Sequence, residues 1–146
     1  MKTATTASSL AAYEYPALVT RVQSIMLDAV VIVLLMFLSA KILDNYQDTP
    51  DWVRAVLFFS IWAVYEPLAM ITGGTIGNYV LGIRVRQFKD PTKKLNILQA
   101  YLRFIIKASL GWLSFIAIHF NPEKRAIHDL VSGSLMIKSV KEDIEA

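Results

Sequence analysis

The sequence predicts an all-α membrane protein with about three transmembrane or partly re-entrant helices and a small cytoplasmic strand pair. Of the 146 residues, 55% are hydrophobic and 18% are charged, and the mean hydropathy of +0.45 is high for a soluble domain. The apolar residues are concentrated in segments 22–43, 53–71 and 98–120. Each has about the 20 residues that cross a hydrocarbon core of about 30 Å. One such segment could be a buried soluble helix, but three leave too little polar chain to cover them.

The first segment follows residues 1–14, which we expect to form a disordered tail because they have no apolar run of their own. Arg21 stands at its start, and Asp28 lies seven residues later on nearly the same helix face. At about 1.5 Å per residue, Asp28 is about 10 Å inside the helix. A charge at the centre of a membrane helix costs on the order of 2.5–3.5 kcal/mol, so we expect both side chains to face partners or water.

The other two segments place charges at the same depth. Glu66 lies five residues before the end of the second segment, and Arg103 lies five residues into the third. Each is therefore about 8 Å from the same surface. Pro67 cannot donate a backbone hydrogen bond and should kink the second helix. The carbonyl freed beside Glu66 would suit a small cation, as in broken transporter helices, or the kink serves packing alone.

The loop charges predict the orientation of the chain. Residues 44–51 contain three Asp and no basic residue. Residues 72–97 contain one Asp and five basic residues: Arg84, Arg86, Lys89, Lys93 and Lys94. Because Lys and Arg are in excess on the cytoplasmic side, we expect the N-terminus and the basic loop to be cytoplasmic.

Two short stretches are typical of strands. In LGIRVRQF, residues 81–88, apolar and charged residues alternate, and SLMIKSV, residues 134–140, is similar. Their pairing would place the second strand at the cytoplasmic surface with the first. A straight third helix would separate them, whereas a helix broken near Gly111 would bring them together, and this second arrangement is the one that we favour.

The three motifs that carry charges and glycines resemble those of the RDD family of small bacterial integral membrane proteins, which is named for one Arg and two Asp residues. The first is Arg21-x6-Asp28, and the last is RAIHDLVSGSLMI with Asp129. Between them lies a glycine loop that we expect to be a cytoplasmic turn, with Gly74, Thr75, Gly77, Gly82 and Val85 as its matching residues. The chain departs from the family at Asn78, where a Lys is usual.

The resemblance covers about residues 15–140 and implies an RDD-type membrane domain there, followed by a charged tail over residues 141–146. It also implies the bacterial cytoplasmic (inner) membrane as the location and the return of Asp129 to the cluster, where it would pair with Arg21 or Arg103. Biochemical roles in the family are mostly unassigned. Transport, including sodium/proton exchange by some members, is the activity that the resemblance implies.

Two interpretations of the membrane charges stay open at this point. Arg21 and Arg103 could balance Asp28 and Glu66 in static ion pairs that hold the helices together. Alternatively, the carboxylates form a pathway for a cation or a proton, with Asp28, Glu66 and Asp129 as candidates and Arg21 and Arg103 as their charge partners. The leading hypothesis is a transporter, or transporter subunit, for monovalent cations or protons. It requires a homo-oligomer or a membrane-protein partner, because three helices can scarcely enclose a pathway.

The alternative is a non-catalytic membrane scaffold whose basic loop engages a protein or anionic lipid at Arg84, Arg86, Lys89, Lys93 and Lys94. An enzyme is not expected, since the chain has no Cys and shows no nucleophile–base pair or cofactor loop. A metal is not expected either, because His119, His128, Asp129 and Glu123 lack a recognised ligand spacing. The bilayer is the expected environment, and nucleic acid is not an expected partner.

Overall fold

The computed structural model describes residues 12–46 and 48–139. These residues form five α-helices, one 3-10 helix and two strands. The α-helices are α1 (Leu18–Leu43), α2 (Asp51–Thr72), α3 (Ile76–Val80), α4 (Ile97–Leu110) and α5 (Ile127–Ser132), a 3-10 helix follows α4 at Gly111–His119, and the strands are β1 (Ile83–Gln87) and β2 (Ser134–Lys138). The tails predicted over residues 1–14 and 141–146 lie almost wholly outside the described residues.

Three segments are long and apolar enough to cross a membrane: Leu18–Leu43, Asp51–Thr72 and Ile97–His119. Their most apolar windows are 0%, 11% and 22% buried inside the chain, so the fold leaves most of their apolar surface uncovered. A helix that is apolar around most of its circumference and uncovered by its own chain is typical of contact with lipid. The predicted fold class is confirmed: a mostly helical membrane protein with three such segments and one small antiparallel sheet.

The third apolar segment is not one straight helix. α4 ends at Leu110, and Gly111 then adopts φ +52° and ψ −127°, a conformation that L side chains rarely adopt. The chain continues as a 3-10 helix through His119. The predicted break near Gly111 is therefore present, and the helix type changes there.

Both ends of this broken segment lie beside the sheet. Before α4, the carbonyl of Lys93 accepts a hydrogen bond of 3.0 Å from the backbone N–H of Gln87, the last residue of β1. After the 3-10 helix, the guanidinium of Arg125 lies 3.8 Å from the ring centroid of Phe88. The segment therefore leaves the sheet and returns to it, as a re-entrant segment does, and this return allows β2 to pair with β1.

The sheet contributes to a small hydrophobic core. β1 and β2 are antiparallel, with Ile83 opposite Lys138 and Gln87 opposite Ser134. Ile83 and Val85 are fully buried, as the alternating pattern predicts, and they pack in one core cluster with Met70, Leu95, Ala100 and Met136. The backbone of residue 14 continues beside β2, since the Glu14 carbonyl accepts a hydrogen bond of 2.8 Å from the N–H of Lys138.

Candidate functional site

A single buried carboxylate joins two arginines from different helices. Nη1 of Arg21, on α1, lies 2.8 Å from Oδ2 of Asp129. Nη1 of Arg103, on α4, contacts the other oxygen, Oδ1. The three side chains are 1%, 2% and 0% exposed. We call this group the Arg–Asp–Arg cluster. The predicted pairing of Asp129 with Arg21 or Arg103 is confirmed, and the carboxylate binds both.

The short helix α5 presents Asp129 to these arginines. Asp129 lies in its first turn, and its Oδ2 also accepts a hydrogen bond of 3.1 Å from the backbone N–H of Ala126, which satisfies a free helix-terminal donor. Gly133 then ends the helix with φ +66° and leads directly into β2. There the hydroxyl of Ser134 donates to Oδ1 over 3.1 Å. Four donors therefore hold the carboxylate in one orientation.

The guanidinium groups have further partners on the same side of the fold. Arg21 Nη2 donates to the carbonyl of Lys124 over 2.6 Å, and Arg103 Nη1 lies 3.1 Å from the Ser134 hydroxyl. The Nε atoms of Arg21 and Arg103 are buried and have no hydrogen-bond partner among the described residues. Two guanidinium charges share one carboxylate, so the cluster has a net positive charge.

His128 borders the cluster as a neutral side chain. Its Nδ1 is hydrogen-bonded to the hydroxyl of Ser114, which comes from the returning 3-10 helix, and its Nε2 lies 3.6 Å from Asp129 Oδ1. Burial lowers the pKa of His128 far below its ordinary value, and the nearby positive charges of Arg103, Lys107 and Arg21 lower it further. The imidazole is thus uncharged at neutral pH and does not form an ion pair with Asp129.

Asp28 is not a partner of Arg21, which corrects the expected grouping of these two residues. Its carboxylate accepts hydrogen bonds from the N–H of Gly77 over 2.8 Å, from the hydroxyl of Tyr65 over 3.0 Å and from the hydroxyl of Thr75. Two helical turns separate Arg21 from Asp28, and the glycine loop supplies donors that lie closer. Asp28 therefore fixes the glycine loop to α1.

The glycine loop approaches α1 more closely than a side chain would allow. A Cβ atom at Gly77 would lie 2.2 Å from the carbonyl oxygen of Ser24 and 3.0 Å from the carboxyl carbon of Asp28. One turn of helix, α3, begins here, and the Thr75 hydroxyl caps it by accepting from the N–H of Asn78 over 3.3 Å. The Oδ1 of Asn78 accepts a 2.6 Å hydrogen bond from the Ser24 hydroxyl.

Glu66 pairs with Lys107 and not with an arginine. The Lys107 Nζ to Glu66 Oε1 distance is 2.7 Å, and the side chains are 24% and 13% exposed. One of the two open interpretations balanced Asp28 and Glu66 with Arg21 and Arg103, whereas the ion pair of Glu66 in the structure is with Lys107. The signal that could have identified Lys107 is its position four residues after Arg103, on the same face of α4 and one turn further from the helix start.

The two membrane carboxylates that lie outside the cluster face one cleft. A cavity of about 310 Å³ lies between α1, α2 and α4, and its polar walls are formed by Asp28, Glu66, Lys107 and Thr75. Apolar side chains, including Trp62 and Phe104, form much of the remainder. We call this cavity the carboxylate cleft. The structure thus separates the predicted polar cluster into a closed part around Asp129 and an open part with Asp28 and Glu66.

The remaining candidate residues are the five basic ones, which lie on β1 and in the loop that follows it. Lys89, Lys93 and Lys94 are exposed in the loop after β1, while Arg84 and Arg86 on β1 are half-buried. Arg84 lies over the ring of Tyr79 at 3.9 Å. Across residues 12–46 and 48–139, no three His, Asp or Glu side chains are grouped so that they could hold a metal ion.

These features define a small helical membrane protein in which buried arginine–aspartate pairs tie apolar helices to a terminal sheet. The RDD family model matches residues 15–133, and the chain belongs to the RDD family. No curated protein and no solved structure gives a match to the chain.

Proposed function

We propose that this protein is a transporter, or the subunit of a transporter, for monovalent cations or protons, with Asp28 and Glu66 as the exchangeable carboxylates. The observation that carries the proposal is the carboxylate cleft, where both groups meet within one cavity in the membrane-spanning part of the chain. Ionisable residues inside a membrane are rare and costly, and those that face a cavity mark ion or proton pathways in many membrane proteins.

The contact between Glu66 and Lys107 supports a change of state during transport. Both side chains are partly exposed at the cleft, unlike the enclosed Arg–Asp–Arg cluster. A proton or cation that binds Glu66 would neutralise it and release Lys107, and loss of that proton or cation would restore the pair. The carbonyl of Ala63 is a further acceptor near Glu66. It lies one turn before Pro67, which has no backbone N–H to donate to it.

The Arg–Asp–Arg cluster takes a different part in this proposal. Asp129 has four donors on its carboxylate and no exposed surface, so it serves as an anchor and not as an exchanging group. We therefore propose a positioning role for Asp129 in place of the pathway role expected from the sequence. It keeps α1 and α4 at the separation that forms the carboxylate cleft.

We also propose where the protein is located and how it assembles, and we propose no enzymatic step. We place the protein in the bacterial cytoplasmic membrane, with the N-terminus, the sheet and the basic loop on the cytoplasmic side, because Lys and Arg are in excess there. The acidic loop of residues 44–51 then lies outside. We propose that a second copy or a membrane-protein partner completes the wall of the cleft, because three helices can scarcely enclose a pathway.

The proposal is tested by reconstitution into liposomes that contain a pH-sensitive dye, driven by a sodium, potassium or lithium gradient. We expect cation-dependent proton flux that is lost in Glu66→Gln and in Asp28→Asn. Asp44→Asn is the matched control, since it neutralises an exposed carboxylate and should keep the flux. Absence of flux from folded wild-type protein would contradict the proposal, and so would full flux in folded Glu66→Gln and Asp28→Asn.

The second candidate is a membrane scaffold that binds anionic lipid or a protein at the basic loop. It is supported by the exposed side chains of Lys89, Lys93 and Lys94 beside a rigid sheet. Wild-type protein in neutral detergent should then bind phosphatidylglycerol more tightly than phosphatidylcholine. Replacement of these three lysines by Gln should remove that preference, and a preference that persists would exclude this loop as the binding surface.

A further inference from the structure

A small cavity lies between the Arg–Asp–Arg cluster and the glycine loop. Its volume is about 20 Å³, and its polar walls come from α1, α4, α5 and the loop. Its charged lining side chains are Arg21, Arg103, Lys107 and Asp28, and Ser24 and Asn78 are among its neutral polar ones. Asp28 and Lys107 also line the carboxylate cleft, so this cavity is the neighbour of the cleft on the side of the cluster.

The cavity explains an otherwise unusual feature of both arginines. Arg21 and Arg103 are 1% and 2% exposed, yet the Nε–H of each lacks an acceptor among the residues described. A buried donor without an acceptor costs about 1–3 kcal/mol, and more when the group is charged. Two such donors from different helices that border the same cavity point to an acceptor inside it.

We infer that one ordered water molecule occupies this cavity and accepts hydrogen bonds from the Nε–H groups of both Arg21 and Arg103. The volume fits this ligand, because a cavity needs about 10–15 Å³ to hold one water, and buried waters typically make about three hydrogen bonds. This inference concerns the architecture of the cluster, and it holds whether or not the carboxylate cleft transports an ion.

A monatomic anion would also accept from two arginines, and Lys107 adds a third cation to the wall, so the choice of water rests on the Asp28 carboxylate and on the small volume of the cavity. The carboxylate of Asp28 lies on the cavity wall, where it repels an anion but can accept a hydrogen bond from water. The Ser24 hydroxyl and the Asn78 amide are neutral groups that suit water equally well. The water would connect α1 to α4 at a point where the two guanidinium groups themselves cannot bond to each other.

The inference is tested by NMR on the full chain in nanodiscs, with arginine labelled by ¹⁵N. The chain has six arginines, and single Arg→Lys replacements at Arg54, Arg84, Arg86 and Arg125 assign four of the Nε–H signals, so that the last two belong to Arg21 and Arg103. We expect dipolar cross-peaks at the water frequency from both remaining Nε–H protons, and unchanged shifts when chloride is replaced by gluconate or bromide.

Three results would overturn the inference. A missing water cross-peak at either Nε–H proton means that no shared water is present. A shift of both signals with the halide identifies an anion as the occupant. Cross-peaks that vanish in Ser24→Ala, which removes only a hydroxyl, would have come from exchange of that hydroxyl with solvent. Cross-peaks that persist in this variant support a resident water.

Discussion

Arg21 and Arg103 bind opposite oxygens of the same carboxylate, although α1 and α4 place them 82 positions apart in the sequence. Asp129 provides both contacts from a one-turn helix that is otherwise too short to be stable alone. The cluster therefore connects the first helix, the broken third segment and the sheet. Its loss should affect the whole chain and not one element.

Neutralising Asp129 should strongly destabilise the protein. Asp129→Asn leaves two buried guanidinium groups without a counter-ion, and breaking a buried pair in this way costs about 3–5 kcal/mol. Denaturant unfolding in detergent measures the loss. Asp44→Asn is the control, because its pair with Arg54 is 3.3 Å long and both side chains are about half exposed, so it should cost only about 0–1 kcal/mol. Equal losses in the two variants would contradict a central role for the cluster.

Neutralising Asp28 should cost less than neutralising Asp129. Asp28→Asn keeps one oxygen for the donors of the glycine loop and leaves the ion pair between Arg21 and Asp129 intact. The loss of charge-assisted hydrogen bonds predicts about 1.5–3 kcal/mol. The same unfolding measurement ranks the two variants. A larger loss in Asp28→Asn than in Asp129→Asn would mean that Asp28, and not Asp129, is the main counter-ion of Arg21.

The elements that depend on periodicity could be predicted from the sequence. Apolar runs identified the three membrane segments, and alternation at Ile83 and Val85 identified a strand with a buried face. The break near Gly111 followed from the need to bring two strands together. Its 3-10 continuation could not be predicted, because it depends on contacts such as that between Ser114 and His128.

The partners of the membrane charges were harder to predict. Depth along a helix places Asp28, Glu66 and Arg103 at one level but does not say which way each side chain points. Asp28 is bound by a backbone N–H and two hydroxyl groups, and those donors give no charge signal in a sequence. The ion pair of Glu66 with Lys107 could not be predicted from depth, because Lys107 lies one turn further along α4 than Arg103.

The close approach at Gly77 predicts a steric effect of a single methyl group. In Gly77→Ala the new Cβ would lie 2.2 Å from the carbonyl oxygen of Ser24, so α3 must move away from α1. We expect a loss of about 1–3 kcal/mol, the usual cost of overpacking, in the unfolding experiment. Gly82→Asn is the control, because Gly82 has φ +65° and open space around it, and Asn tolerates that conformation. Wild-type stability in Gly77→Ala would disprove the close packing.

The neutral state of His128 predicts that stability falls in mild acid. Burial and three nearby cations lower the pKa of His128 in the folded protein, whereas the unfolded chain has the ordinary value of about 6.5. Below that pH the unfolded state binds a proton that the folded state does not. The free energy of unfolding is therefore highest above about pH 6.5. It decreases as the pH falls, by about 2 kcal/mol between pH 7.5 and 5. Unfolding curves across this range should show the slope in wild type and in His119→Gln, the matched control for the other histidine, but a much weaker slope in His128→Gln. A slope that is unchanged in His128→Gln would assign the pH dependence to another group.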